Sequence, residues 1–396
     1  MGADEFLMYT EEEREFREYV KQFCQEVIVP EEDKIQKENI YSKEILYKIG
    51  QAGLMSVHHP KELGIGKYAG RGLVYETIVA EEVSAVIAGL DMARMASATL
   101  YGKPVSRFGT DFQKEKYLKP VIRGEKIGAL GITEPNVGSD VAGMETHAEA
   151  KDDGYLLNGN KKYITNGSQA DFLCVFAITD SKVHSKQGMS AFIIENTMPG
   201  FSVVKDLDLM GMNGARVSEL KFDNIFVPKE NVLGNIGQGF AICMDELDSE
   251  RVAIAAEALG YARPALEKAI EHSQTRVQFG KPIRLFEGVN FKIADMATDF
   301  EAARLLTLNS ARRYDKGLPI SKEAAMAKIF ATKMAVDVCD SAIQILGGRG
   351  YEKENKVERY YRDAKLMEIG GGTSEILRYL VQREIFKEKK RKESKK

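Results

Sequence analysis

The chain has 396 residues, 44% of them apolar, enough for a large buried core spread over two or three domains. A formal net charge of −3 and a pI of about 6.1 give no global attraction to nucleic acid or to an anionic membrane. The four cysteines (Cys24, Cys174, Cys243, Cys339) are dispersed and the five histidines lack ligand spacing, which argues against a disulfide framework and a metal site and fits a reducing compartment.

The N-terminus is acidic, with no basic region leading into an apolar run, so no signal peptide is expected. No apolar run approaches the ~18 residues of a membrane span, and a cytoplasmic location is the default expectation. From Thr10 to about Gly124 the pattern is helical. Thr10 before three glutamates reads as an N-cap with acids in the first turn. Further helices are expected at Lys43–Ala52, at Gly72–Ile87 and again after Asp91. Between about Lys126 and Gly234, short apolar runs at 155–159, 172–179, 190–195 and 218–222 alternate with Gly, Asn, Asp and Pro, as strands with tight turns do. Helical periodicity returns from Phe240 to Lys387, with breaks expected at Pro264, Gly280-Lys281-Pro282, Gly317-Leu318-Pro319 and Gly347–Gly350. The expected fold is α+β: an N-terminal helical domain (1–125), a small middle β domain (126–235) and a C-terminal helical bundle (236–387). Residues 388–396 read as a basic, solvated, disordered tail.

Gly64-Ile65-Gly66 superficially fits a dinucleotide fingerprint but follows no apolar strand, and no GxxxxGK[ST] phosphate loop is present. Other glycine-rich segments carry more. Gly131-Ile132-Thr133-Glu134-Pro135-Asn136-Val137-Gly138-Ser139-Asp140-Val141-Ala142-Gly143 is a turn rich in backbone donors and small hydroxyls. Lys162-Tyr163-Ile164-Thr165-Asn166-Gly167 follows. Arg276-Val277-Gln278-Phe279-Gly280-Lys281-Pro282, Gln344-Ile345-Leu346-Gly347-Gly348-Arg349-Gly350 and Ile369-Gly370-Gly371-Gly372-Thr373-Ser374-Glu375 complete the series. In this order and spacing, over roughly Tyr9 to Phe386, the segments resemble the flavin-dependent acyl-CoA dehydrogenases.

That resemblance implies noncovalent FAD, with Thr133, Tyr163 and Thr165 at the flavin ring and Ser139 near the pyrophosphate and the CoA chain. It places Arg276, Gln278, Gln344, Gly347 and Gly348 on the adenylate of a neighbouring subunit's cofactor, in a homotetramer, and adds Thr373 and Glu375 as cofactor contacts. Asp248 and Arg251 are implied to touch CoA. An electron-transferring flavoprotein is implied as the electron acceptor.

The reaction needs a proton removed on one side of the substrate and a hydride on the other. In much of the family a glutamate before the Gly-Thr pair is the base; here that residue is Gly371, which keeps a backbone N–H for the thioester oxygen and lacks the carboxylate. Glu250 resembles the helix-borne base of isovaleryl- and long-chain acyl-CoA dehydrogenases, against the bland reading of a solvent-facing helical glutamate. Asp91 is at a position that lines the acyl pocket in the family; its bland reading is a helix N-cap. A pocket aspartate with no loop glutamate resembles cyclohex-1-ene-1-carboxyl-CoA dehydrogenases of anaerobic alicyclic and aromatic degradation, and 1,4-dehydrogenation with Asp91 as base at the γ carbon is the favoured expectation. The alternatives are α,β-dehydrogenation of a saturated branched or alicyclic acyl-CoA by Glu250 and, remotely, a non-catalytic acyl-CoA-binding protein. Returning a carboxylate with Gly371→Glu is expected to install ordinary α,β-dehydrogenation.

Overall fold

A computed structural model describes residues 8–393. Thr10 opens the first helix, α1 (Glu11–Phe23), through a reciprocal capping box: its hydroxyl accepts from the Glu13 N–H at 3.3 Å, and Glu13 accepts from the Thr10 N–H at 2.8 Å. Helices α2 (Lys43–Gln51), α3 (Leu73–Val86), α4 (Ala88–Met95) and α5 (Gly102–Phe108) follow. Helix α4 begins before Asp91, so Asp91 is not its N-cap; its N–H already donates to Ile87 O at 3.2 Å. The early start brings Gly89 against the carbonyls of Met212 and Asn213, where a side chain would have no room.

The middle region is an eight-stranded sheet in the order β6-β7-β3-β2-β4-β5-β8, with β1 paired to β4. Its strands are β1 (Gly128–Gly131), β2 (His147–Lys151), β3 (Gly154–Thr165), β4 (Phe172–Ile178), β5 (Met189–Glu195), β6 (Phe201–Asp206), β7 (Val217–Pro228) and β8 (Val232–Leu233). The β1–β4 and β2–β4 pairings are parallel, the others antiparallel. Strands β4 and β5 are buried almost throughout, whereas β2 and β6 are mostly exposed. β2 has no apolar run and gave no signal in the sequence, whereas β6 carries Phe201, Val203 and Val204, a signal that went unread.

Helix α6 (Gly239–Thr275) packs on α3 and is joined by a two-stranded ribbon, β9 (Val277–Gln278) and β10 (Lys281–Pro282), to α7 (Glu287–Asp315), α8 (Ser321–Leu346), α9 (Val357–Met367) and α10 (Ser374–Glu393). Pro264 does not break α6, contrary to expectation. The helix is held on the N-terminal side of the proline by close packing: Gly260 lies against Ser84 of α3 with no space for a side chain, and the Ser84 hydroxyl donates to Glu257 O at 3.3 Å. The expected disordered tail also differs. Helix α10 continues to Glu393, with Lys322 reaching Glu388 from α8; residues 394–396 lie outside the described residues.

A buried charge knot ties the two helical regions together. Arg17 of α1 pairs with Glu81 and, at 2.6 Å, with Glu82 of α3, while Arg304 reaches Glu81 at 2.9 Å and Arg263 reaches Glu82 at 2.6 Å. Three arginines around Glu81 hold its carboxyl far below the usual range despite burial. Removing one partner strands buried charge, so Glu81→Ala is expected to cost about 3–5 kcal/mol in denaturant unfolding. Among the described residues no helix is long and apolar enough to cross a membrane, and no cluster suits a metal ion.

Candidate active site

The C-terminal loop between α9 and α10 turns through two glycines in left-handed backbone, Gly371 at φ +65° and Gly372 at φ +95°. Two buried cations of the neighbouring helices hold it. Arg251 of α6 approaches Gly371 O at 3.4 Å, and Lys328 of α8 donates to Gly372 O at 2.8 Å. Arg251 is itself fixed by Asp248 at 2.8 Å, which also accepts from the Ser321 hydroxyl. With the carbonyls so engaged, the N–H groups of Gly371 and Gly372 have no protein acceptor among the described residues. Such free donors suit an oxygen that gains charge during reaction.

Glu250 faces this loop. It is 7% exposed, and a Cβ placed on Gly371 would lie 3.6 Å from Glu250 Oε1. Its Oε2 is buried without a hydrogen-bond partner. Burial pushes the carboxyl up to about 7, against the opposing charges of Arg251, Lys328 and Lys103. A carboxyl that titrates near neutrality and keeps a free oxygen has the properties of a general base. Burial also brings the Lys328 ammonium down to about 8.

The geometry does not favour the expected gain from Gly371→Glu. The added Cβ would overlap Ile254 Cδ1, and the position has a positive φ. The residue one turn beyond Glu250 already occupies that space.

Asp91 is elsewhere and is not the unpaired carboxylate that its apolar neighbours suggested. It is fully buried and accepts from Arg94 Nε at 2.6 Å; Arg94 continues to Glu76 at 2.8 Å, and Glu76 meets His58 at 3.2 Å. The i,i+3 spacing of Asp91 and Arg94 is visible in the sequence and is the signal that reading overlooked. Arg94 and His58 hold Glu76 down at about 2, whereas burial raises Asp91. Sequence reasoning also missed Lys328 and Glu257, which lie on helix faces with no motif around them, and the role of Ile254, one turn beyond Glu250.

The remaining site residues form two groups. Thr133 and Thr165 are half-buried at the ends of adjacent segments joined by the Lys162 N–H donating to Thr133 O at 2.9 Å. Tyr163 is 59% exposed, at φ +60°. Asn166 anchors this turn to α4 by donating to Ala93 O at 2.8 Å. Ser139 is exposed on the first loop. A cavity of about 380 Å³ opens at the start of the same loop, lined by Glu134, Asn136, Thr146, His147 and Asn160 among others. The second group lies on the surface of the helical domain: Arg276, Gln278, Gln344, Gly347 and Gly348 are all exposed. Burial lowers the His272 pKa, and the charges of Arg349 and Arg276 both add to it, so the two motifs meet at one basic corner. A side chain at Gly348 would meet nothing within 4 Å, so packing within this chain does not demand glycine there. A basic corner without packing of its own fits the diphosphate and adenylate of a dinucleotide. Thr373 is half-buried and Glu375 exposed at the start of α10.

Comparison with known proteins agrees with this architecture. The acyl-CoA dehydrogenase N-terminal, middle and C-terminal domains match residues 10–125, 129–225 and 237–386. The chain is 42% identical over 384 residues to the mitochondrial isovaleryl-CoA dehydrogenase of Arabidopsis thaliana, covering 96% of this chain and 93% of that one. The butyryl-CoA dehydrogenase structure from Megasphaera elsdenii superposes with a TM-score of 0.91 at 38% identity, over 96% of this chain and 99% of that one. A chain from a study of the electron transferring flavoprotein of Acidaminococcus fermentans superposes with a TM-score of 0.91 at 40% identity, over 95% and 98%. The chain belongs to the acyl-CoA dehydrogenase family, FAD-dependent oxidoreductases acting on CH–CH bonds.

Proposed function

We propose that this protein catalyses α,β-dehydrogenation of a short or branched acyl-CoA, with Glu250 as the base. The observation that carries the reading is the placement of the Glu250 carboxyl beside Gly371, with Oε2 unpartnered. Bound FAD supplies the hydride acceptor. The chain's own residues do the rest. The N–H of Gly371 stabilises the thioester oxygen as enolate charge develops, and Glu250 takes the α proton. Arg251 and Lys328 keep the loop in the donating conformation, and Asp248 and Arg251 reach towards CoA. The isovaleryl- and butyryl-CoA dehydrogenases among the similar proteins support a substrate of this size.

The test is anaerobic mixing of the yellow holoenzyme with isovaleryl-CoA and butyryl-CoA. Flavin bleaching is expected, and its absence with both substrates contradicts the proposal. Because a base must be ionised to accept a proton, the bleaching rate is expected to rise with pH through about 7, the titration range of Glu250, and to fall below it.

Asp91 supports a second reading. Its Oδ2 is buried without a partner and its carboxyl is raised, so it too can accept a proton. In that reading the substrate is cyclohex-1-ene-1-carboxyl-CoA and the proton leaves the γ carbon in a 1,4-dehydrogenation. Glu250 is preferred because it adjoins free amide donors, whereas Asp91 is engaged by Arg94.

We further propose FAD shared across subunits of a homotetramer located in the cytoplasm, with an electron-transferring flavoprotein as acceptor. Phe279 (93% exposed) beside Arg276 and Tyr351 (85%) beside Arg349 fit a subunit contact at the basic corner. Arg276→Ala is expected to weaken FAD retention and tetramer stability together, read by flavin content after gel filtration. A variant that stays tetrameric and fully yellow contradicts the assignment.

A further inference from the structure

The buried face of α6 carries, beyond Glu250, a further carboxyl that the reaction does not use. Glu257 lies two turns beyond Glu250, with Ile254 between them on the same side of the helix, and is 1% exposed. Its Oε1 and Asp91 Oδ2 are both buried without a hydrogen-bond partner among the described residues, and the two carboxyls are close enough to act on each other. Two buried carboxyls placed in this way can hydrogen-bond each other only when one holds a proton. The groups around them agree: Arg94 pairs with Asp91, the Tyr261 hydroxyl adjoins Glu257, and no second cation among the described residues pairs with either carboxyl. Burial first, and then the charge of Asp91, hold Glu257 well above the ordinary carboxyl range.

The direction of the acyl group follows from burial along α6. Towards its N-terminus, Asp245, Leu247 and Asp248 are only half-buried, and the Arg251 guanidinium reaches back to Asp248 on that side of Glu250. Towards its C-terminus, residues 249–262 are buried without interruption. A thioester whose polar CoA remains at the open side therefore points its acyl end from Gly371 and Ile254 towards Glu257. Glu257 is seven positions along the helix from Glu250, a rise of about 10 Å, the reach of a medium-length chain.

We infer that the Asp91–Glu257 pair forms a proton-sharing polar end to the acyl site, which disfavours long unsubstituted chains and accepts a longer chain only when it brings a hydroxyl or carbonyl to that end. This rests on the reading of Glu250 and Gly371 as the reaction centre. An alkyl terminus pressed on the pair removes its room for water and offers no hydrogen bond, whereas a terminal hydroxyl can both donate to Asp91 and accept from Glu257.

Binding separates this inference from the chemistry, because CoA thioethers cannot be oxidised. Calorimetric Kd values would be compared for butyl-, octyl- and 8-hydroxyoctyl-CoA thioethers on the FAD-loaded oligomer. The hydroxyoctyl ligand is expected to bind about 10-fold or more tightly than the octyl ligand, the scale of one buried hydrogen bond lost. Glu257→Gln, which keeps a hydrogen-bonding side chain, should preserve the preference. Glu257→Leu should abolish or reverse it. Equal binding of octyl and hydroxyoctyl ligands by the native enzyme overturns the inference, as does an unchanged preference in a folded Glu257→Leu variant. The native-enzyme comparison stands even if that variant does not fold. Loss of the preference with normal bleaching by butyryl-CoA sinks the polar end alone; absent bleaching with the preference intact sinks the reaction-centre reading alone.

Discussion

Glu250→Gln is expected to slow flavin reduction by isovaleryl-CoA by about 10²–10⁴-fold, the usual contribution of a placed general base. The substitution keeps the shape of the side chain and removes only its capacity to take a proton. Glu250 stands in a buried position with one oxygen free, so the neutral amide is accommodated there at little cost. FAD content and thioester binding should change little, because the groups that hold the loop are Arg251 and Lys328. The loss should therefore fall on the rate of bleaching, measured by anaerobic stopped flow, and the dependence on pH through about 7 should disappear with it.

Gly371→Glu is expected to be damaging, although it restores the residue that much of the family carries. Left-handed backbone costs a side chain about 1–2 kcal/mol. Overlap with Ile254 adds about 1–3 kcal/mol of overpacking. A second carboxyl beside Glu250 would further raise both, so neither would ionise readily near neutral pH. Thermal unfolding should show a clear loss of stability, and bleaching by isovaleryl-CoA should fall severely. Moving the base to the loop needs the helix cleared as well, so the triple change Gly371→Glu, Glu250→Gly and Ile254→Gly is expected to recover part of the activity that the single change loses. A stable Gly371→Glu protein with raised activity would mean that the loop is not packed as described.

The helical, β and helical succession was legible because apolar periodicity changes where the chain passes from helix to sheet and back. What escaped was held by contacts between distant segments. Helix α6 runs through Pro264 because Gly260 and Ser84 lock it to α3, and β2 and β6 pair through their backbones while their side chains face water. Thr10 was readable because a capping box is local. The site divides in the same way. The glycines of the loop and the acid before Arg251 stand in recognisable segments, so Gly371 and Glu250 were both visible as candidates. Their adjacency, and the ion pair that engages Asp91, depend on packing across more than a hundred residues or on which face of α4 is buried. Glu257 had no motif around it, and its burial and its place near Asp91, which distinguish it from a surface glutamate, come only from packing.

The central claim, that Glu250 rather than Asp91 removes the proton, is tested most directly by one anaerobic bleaching series. The native holoenzyme, Glu250→Gln and Asp91→Asn would each be mixed with isovaleryl-CoA and with cyclohex-1-ene-1-carboxyl-CoA, and the initial rates of flavin reduction compared. The expected result is fast bleaching of the native enzyme by isovaleryl-CoA, a loss of about 10²-fold or more in Glu250→Gln and a far smaller change in Asp91→Asn. The opposite ranking, with cyclohex-1-ene-1-carboxyl-CoA as the better substrate, Asp91→Asn nearly inactive and Glu250→Gln almost unaffected, would contradict the account and assign the proton transfer to Asp91.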